Sequence, residues 1–194
     1  MKDISPSPAE SAMSMDRVAV VGPIGVGKSV LAQRLGTLLQ VRVYDFDDLY
    51  WRRDRERLPE DEWAALLDKI LGEQRWILDG FPLSVSEEPL ERADTVLFLD
   101  LPRRTSIFSV VRRELTRRSR SRNGSAQRAR MFNALLFRWI WRFPVDHRPD
   151  LLRALSGNRS QRVVIFRSRR EVRRFLGSVE KSVARAGDPP ASGR

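Results

Sequence analysis

Residues 22–29, G-P-I-G-V-G-K-S, constrain the fold more than any other part of this 194-residue chain. They match the pattern G-x-x-x-x-G-K-[ST], in which a glycine-rich loop turns successive backbone N–H groups toward phosphates. Residues 17–21 before the loop, R-V-A-V-V, have the apolar, β-branched character of a buried strand. After the loop, leucines 31, 35, 38 and 39 recur at helical spacing. Because the motif requires the order strand, loop, helix, the sequence predicts a nucleotide-binding site here.

Two residues at the end of this loop carry most of its expected chemistry. The ammonium of Lys28 brings a positive charge to the β- and γ-phosphates, and we assign it to both binding and catalysis. The hydroxyl of Ser29 is expected to be a ligand of Mg²⁺. The predicted cofactors are therefore ATP and Mg²⁺. The residues predicted to bind the nucleotide phosphates are Gly22, Gly25, Val26, Gly27, Lys28, Ser29 and Val30.

The rest of the chain alternates between short apolar segments and helical patterns. Further strands are predicted at residues 41–44, 76–79, 95–100 and 163–166. Strands that alternate with helices predict an α/β fold in which a five-stranded, mainly parallel sheet is covered on both faces as a three-layer sandwich. We expect one domain over residues 16–185, between disordered tails at 1–15 and 186–194 that are rich in Ser, Pro, Ala and Gly.

Composition excludes several classes of site. The chain has no cysteine, so disulfides and thiolate metal sites are absent, which agrees with a cytoplasmic location. The single histidine, His147, stands between two charged residues and is expected at the surface. No long apolar run is present, so we expect neither a membrane span nor a secretory signal.

Aspartates follow several of the predicted strands. Because ligands of parallel α/β folds bind at the carboxyl ends of the strands, these side chains are expected beside the phosphate loop. Asp79 ends the predicted strand 76–79, and residues 79–82, D-G-F-P, resemble the Asp-Gly-Phe-Pro of adenylate kinases. The resemblance implies that Asp79 works near the Mg²⁺ and its water ligands, while the alternative is an aspartate that caps a turn.

Two further aspartates form a second resemblance. Residues 44–47, Y-D-F-D, resemble the Tyr-Asp-x-Asp of shikimate kinases, which implies that Asp45 serves the magnesium and Asp47 the acceptor hydroxyl. The alternative for both is a solvated turn. Asp100 also ends an apolar strand and so looks like a Walker B acid, which would serve the magnesium. Because Pro102 indicates a sharp exit from the sheet, we favour a structural role for Asp100.

The net charge of +11 is concentrated in residues 103–130, which contain ten arginines and one acid, Glu114. One interpretation is a helical lid over about residues 112–130 that closes on ATP, with Arg113 and Arg117 on the transferring phosphoryl group. The alternatives are contacts with the phosphates of DNA and a solvated basic surface. Between the last strand and the last helix, Arg169 or Arg170 is expected to stack on the adenine, with Arg169 as the assigned residue, or else the pair begins a basic surface helix.

Several separate segments resemble the topology modulation (FlaR-like) proteins, P-loop NTPases related to adenylate kinase and more distantly to shikimate kinase. This resemblance implies an adenylate-kinase-like fold with an arginine-rich helical lid, nucleotide binding and kinase-like activity. Besides the phosphate loop, the segments that carry it are residues 47–51 (D-D-L-Y-W), 62–63 (E-W), 92–96 (R-A-D-T-V), 99–102 (L-D-L-P), 138–143 (R-W-I-W-R-F) and 167–172 (R-S-R-R-E-V).

These observations favour a kinase that transfers the γ-phosphoryl group of ATP to a small acceptor, either a nucleotide or a metabolite hydroxyl. The alternative is an ATP-responsive DNA-binding regulator with little phosphotransfer activity, and DNA is the less favoured partner. The aromatic residues within 137–143 are expected to lie in the core or at an interface, which would be the contact of a homodimer.

Overall fold

The computed structural model describes residues 15–50, 56–80, 86–120, 137–157 and 161–187, with the backbone alone for 113–120. A single sheet of five strands lies at the centre of the described chain, in the order β2-β3-β1-β4-β5, and all pairs of neighbours are parallel. The strands are β1 (Arg17–Val21), β2 (Val43–Asp45), β3 (Trp76–Asp79), β4 (Thr95–Leu99) and β5 (Arg162–Phe166).

Helices connect these strands, because parallel neighbours need crossover connections. They are α1 (Lys28–Leu39), α2 (Phe46–Tyr50), α3 (Glu60–Leu71), α4 (Glu88–Arg92), α5 (Arg103–Arg120), α6 (residues 137–146), α7 (Arg148–Gly157) and α8 (Arg169–Gly187). No helix of the described chain is long and apolar enough to cross a membrane.

The two faces of the sheet pack against different helices. On one face, α1 and α8 cover side chains such as Val18 and Val20 of β1. On the other face, Ala19 and Val21 lie among side chains of α3, α6 and α7. Alternating residues of one strand thus enter separate cores, which is why these strands are apolar throughout. The predicted three-layer α/β sandwich with a parallel five-stranded sheet is confirmed.

The predicted bounds of the strands agree with the structure except at β2. We predicted this strand from Val41, but it begins at Val43. The backbone N–H groups of Gln40 and Val41 both donate to the carbonyl of Gly36, and Gln40 has the left-handed conformation that often ends a helix. Val41 is buried because it belongs to this helical end, so its apolar side chain was a misleading strand signal.

The aromatic segment within 137–143 divides between core and surface. Ile140 and Phe143 are buried, whereas Trp141 is 61% exposed and lies under the guanidinium of Arg103, 5.0 Å from its ring centroid. The core interpretation therefore holds for one side of α6. His147 is exposed, as predicted.

Both predicted tails lie largely outside the described residues, which begin at Met15 and end at Gly187. Met15 is buried in the core between the sheet and helices α1 and α8.

Candidate nucleotide-binding site

The loop after β1 lies where the strand order changes direction. β1 is the central strand, and the chain continues to β3 on one side and to β4 on the other. Crevices at such switch points, at the carboxyl ends of the strands, are the ligand sites of parallel α/β folds. The sheet therefore places the phosphate-loop sequence at the position where a nucleotide is expected.

Three glycines of the loop have backbone conformations that other residues rarely adopt. The φ angles are +142° at Gly22, +81° at Gly25 and +105° at Gly27. A Cβ atom at Gly22 would also lie 2.7 Å from the carbonyl oxygen of Leu99, at the end of β4. The glycine at the start of the motif thus has a physical reason in this chain, because conformation and space both exclude a side chain at Gly22.

Helix α5 lies directly against this loop. A Cβ atom at Gly25 would be 3.1 Å from the carbonyl oxygen of Ser106 and 3.2 Å from Cγ2 of Val110. Ser106 is fully buried. The sequence analysis missed this contact, although Ser106 and Val110 have the i, i+4 spacing of one helix face within an otherwise arginine-rich segment.

Lys28 begins α1 and is surrounded by carboxylates. Its Nζ donates a hydrogen bond to the carbonyl oxygen of Pro23, 3.1 Å away. Burial lowers the pKa of Lys28, and the negative charges of Asp79, Asp47 and Asp45 oppose that shift. The ammonium is therefore held close to three acids and to a backbone carbonyl of the phosphate loop.

Glycine also permits the approach of β3 to Lys28. Gly80, with φ of +74°, follows the last residue of β3, and a Cβ atom there would lie 3.1 Å from Cε of Lys28. Its backbone N–H donates to the carbonyl of Val20, 2.9 Å away, which continues the pairing between β3 and β1. The end of β3 is thereby fixed beside the start of α1.

Asp79 is the buried acid of this site, with 3% of its surface exposed. It accepts a hydrogen bond from the Ser29 side chain, yet its Oδ1 has no hydrogen-bond partner within the described chain. Burial raises the pKa of Asp79, and the neighbouring charges of Asp45 and Asp47 raise it further. The Ser29 hydrogen bond and the charge of Lys28 oppose this increase.

The donor atoms around Asp79 fit Mg²⁺. A serine hydroxyl and a buried carboxylate with an unpartnered oxygen are hard oxygen ligands, which this ion prefers. In the described part of the chain, no three side chains among His, Cys, Asp and Glu form a cluster that could hold a metal. Mg²⁺ at this site would thus also need oxygens from phosphates and water, as is common for magnesium that enters with a nucleotide.

Asp45 has a structural role in the observed geometry. It lies opposite Asp79 in the register of β2 and β3. Its Oδ1 accepts the backbone N–H groups of Asp47, at 2.9 Å, and Asp48, at 3.4 Å. Asp45 therefore caps the first turn of α2, a role that neither the magnesium interpretation nor the solvated-turn alternative specified. Asp47 is exposed, and its charge acts on both Lys28 and Asp79.

Asp100 is paired with an arginine that the sequence analysis did not identify. Nε of Arg148 lies 3.0 Å from both carboxylate oxygens of Asp100, and one terminal nitrogen lies 2.8 Å from Oδ2. This ion pair joins the residue after β4 to the first residue of α7. The favoured structural role of Asp100 agrees with this geometry. No local pattern could reveal the partner, since 48 residues separate the two.

Arg169 lies at the start of α8 and reaches across to α5. Its guanidinium donates to Oγ of Ser109, 3.0 Å away. Helix α5 thus makes two contacts with this region. Ser106 lies against the phosphate loop, and Ser109 accepts the hydrogen bond of Arg169. Glu171 stabilises the start of α8, because it accepts the backbone N–H of Arg167 and the hydroxyl of Ser168.

Some predicted site residues lie beyond the described structure. The backbone positions of Arg113 and Arg117 belong to α5, but their side chains are outside the description. Residues 121–130 of the expected lid, and Phe81 and Pro82 after Gly80, are outside it as well. Of the remaining loop residues, Val26 is buried and Val30 is 63% exposed.

The α/β fold of the chain is also found in solved structures of shikimate kinases. The chain is similar to shikimate kinase from Acinetobacter baumannii in complex with shikimate, with 15% identity and a TM-score of 0.55 over 94% of this chain and all of that one. It is also similar to shikimate kinase from Bacteroides thetaiotaomicron, with 12% identity and a TM-score of 0.50 over 88% of this chain and 99% of that one. At these identities the likeness establishes the fold alone.

Neither a protein-family model nor a curated protein sequence matches the chain. The resemblance to the topology modulation family therefore stays a prediction from the segments that carry it.

Proposed function

We propose that this chain is an ATP-dependent kinase that transfers the γ-phosphoryl group to a hydroxyl or phosphate oxygen of a small acceptor. The observation that carries the proposal is the convergence of Lys28, Ser29 and Asp79 at the end of a glycine loop with three left-handed residues. A buried carboxylate oxygen without a partner in the protein destabilises the fold unless water or a ligand uses it. A bound ion with phosphates would supply that ligand.

On the donor side, the loop from Gly22 to Ser29 would hold the β- and γ-phosphates with its backbone N–H groups, and Lys28 would balance their charge. Ser29 and Asp79 would hold Mg²⁺, which supplies charge neutralisation of the phosphates during transfer. The charge of Asp79 opposes the decrease in the pKa of Lys28 that burial causes, and its carboxyl group accepts the hydrogen bond of the Ser29 hydroxyl.

On the acceptor side, exposed Asp47 would orient the attacking hydroxyl and accept its proton. Asp45 acts mainly by capping α2, which fixes the backbone of Asp47. We keep Asp45 as a candidate for the water shell of the magnesium, since it lies opposite Asp79.

The arginines of α5 would complete the site. Positions 106, 110, 113 and 117 are three or four residues apart and so share one side of the helix. The first two contact the phosphate loop. We therefore propose that Arg113 and Arg117 continue this side toward the transferring phosphoryl group, where they neutralise developing charge. Arg169, tied to Ser109 on the same helix, would bind the adenine.

The acceptor class is the open part of this proposal. One similar fold is that of a shikimate kinase in complex with shikimate, which favours a metabolite hydroxyl. The Asp79-Gly80-Phe81-Pro82 pattern resembles adenylate kinases, which favours a nucleoside monophosphate.

A screen of ADP release from Mg·ATP tests the proposal. Nucleoside monophosphates and metabolite alcohols, shikimate among them, are added singly to the wild-type chain and to Lys28→Ala. We expect one acceptor class to raise ADP release and the substitution to abolish the increase. If Mg·ATP binds and no acceptor raises turnover, the proposed transfer is wrong.

A further inference from the structure

The outer face of α8 is strongly basic. Apart from Arg169, which contacts Ser109, five exposed side chains of α8 are cations, and the exposed acid within the same stretch is Glu180. At a helical rise of 1.5 Å per residue, the cations extend over about 22 Å. We call this surface the α8 basic face, and it consists of Arg170, Arg173, Arg174, Lys181 and Arg185.

None of these cations forms an ion pair within the described part of the chain. Elsewhere in the described part of the chain, the arginines with a carboxylate partner include Arg75, Arg92, Arg142, Arg148 and Arg153. Glu171, the other acid of α8, accepts hydrogen bonds from Arg167 and Ser168 at the helix start. Like charges at helical spacing destabilise a helix by tenths of a kcal/mol per pair, roughly. The α8 basic face is therefore a surface whose charge an anionic partner would neutralise.

The opposite side of α8 is already used by the fold. Leu176 and Val179 are buried against α1 and the sheet, and Phe175 packs edge-on against Phe166 at 5.3 Å. Val183 follows Val179 by four residues and belongs to the same side. A helix that binds a lipid surface inserts a broad apolar side among the acyl chains, whereas the large apolar side chain that α8 exposes is Val183 alone, at 38%. A partner of the basic face must be held by charge and hydrogen bonds.

We propose that the α8 basic face binds the phosphate backbone of a nucleic acid without reading its sequence. Four of the five cations are arginines, whose planar guanidinium groups donate pairs of hydrogen bonds to phosphate oxygens. Release of counterions from the nucleic acid would provide most of the binding free energy, so affinity should fall steeply with salt. The inference is independent of the proposed kinase activity, because Arg173, Arg174 and Lys181, which make up most of this face, are not part of the proposed nucleotide site.

Fluorescence anisotropy with a labelled DNA duplex of about 20 base pairs, at salt concentrations from about 50 to 200 mM, tests this face. The test variant of the full chain carries Arg173→Gln, Arg174→Gln and Lys181→Gln. The control carries Arg92→Gln, Arg142→Gln and Arg153→Gln, which removes the same charge from other surfaces. All six side chains are exposed, and glutamine preserves helix propensity.

We expect the test variant to bind DNA at least about tenfold more weakly than the wild type and to reduce the salt slope by about 2 to 3. The control should change affinity less than about threefold, and both variants should retain the ADP formation of the wild type. Equal losses in the two variants would assign binding to overall charge and overturn the proposal. Absence of wild-type binding at the lowest salt, or tighter binding to vesicles of phosphatidylserine and phosphatidylcholine than to the duplex, would overturn it too.

Discussion

At the level of single residues, the burial of Lys28 and Asp79 in the candidate site lowers the stability of the folded protein. Burial lowers the pKa of Lys28 and raises the pKa of Asp79, so the surroundings disfavour the charged form of both. Each charge partly offsets the cost for the other. Such paired shifts are typical of sites that bind a charged ligand, which completes the compensation.

The pKa of Asp79 predicts how stability depends on pH. Below the pKa of an ordinary aspartate, about 4, the carboxyl group is neutral in the folded and unfolded states and costs nothing. As pH rises through the raised pKa of the folded protein, a buried carboxylate must be held, and the wild type loses stability relative to Asp79→Asn. Urea unfolding of both proteins at about pH 4 and pH 8 measures the difference. It should shift in favour of the variant at the higher pH, and a constant difference would refute the assignment of burial as the cause.

Gly22 gives a second prediction for a single residue. In Gly22→Ala, the new methyl group would meet the carbonyl oxygen of Leu99 at 2.7 Å with φ at +142°. We expect a loss of about 1 to 3 kcal/mol in the free energy of unfolding and much weaker ATP binding.

Gly177→Ala is the matched control, because Gly177 lies in α8 with open space at its Cβ position. Alanine there should stabilise the protein by about 0.5 to 1 kcal/mol. Thermal unfolding compares the two variants. If both substitutions have the same effect on stability, then neither the contact with Leu99 nor the positive φ excludes a side chain at Gly22.

At the level of the elements, the pair between Asp100 and Arg148 joins β4 to α7. Its side chains are 17% and 38% exposed, so the charges are only partly removed from water. We expect Asp100→Asn and Arg148→Gln each to cost about 1 to 3 kcal/mol of stability. The double variant should cost less than the sum, with a coupling of about 1 to 2 kcal/mol by denaturant unfolding.

The same variants test whether Asp100 has a role with magnesium. Because its carboxylate is occupied by Arg148, the affinity of Asp100→Asn for Mg·ATP should stay within about threefold of the wild type. A large loss of Mg·ATP affinity without loss of stability would show that Asp100 is a metal-site residue after all.

The elements also show what the sequence could predict. The motif, the β-branched runs and the strand ends were sufficient to locate the loop, four of the five strand starts to within a residue, and the buried acid Asp79. The start of β2 was misjudged because burial of Val41 serves the end of α1. The partners Arg148 and Ser109 could not be predicted, since each contact joins residues far apart in sequence, with no periodicity between them.

At the level of the whole molecule, the strand order β2-β3-β1-β4-β5 brings the residues of the candidate site together. Local patterns predict strands but not which strand pairs with which. The order places Asp45 and Asp79 on one side of the phosphate loop and Asp100 on the other. As a result, the charges of Asp45 and Asp79 raise the pKa of Lys28, while Asp100 pairs with Arg148 of α7.

Calorimetric titration of Mg·ATP into the wild type and Lys28→Ala tests the central claim most directly, namely that the glycine loop holds the nucleotide phosphates. The wild type should bind one equivalent with a dissociation constant in the micromolar range, roughly, and the variant should bind at least about 100-fold more weakly. Circular dichroism would establish that the variant is folded. Undiminished binding by a folded Lys28→Ala variant would contradict the account.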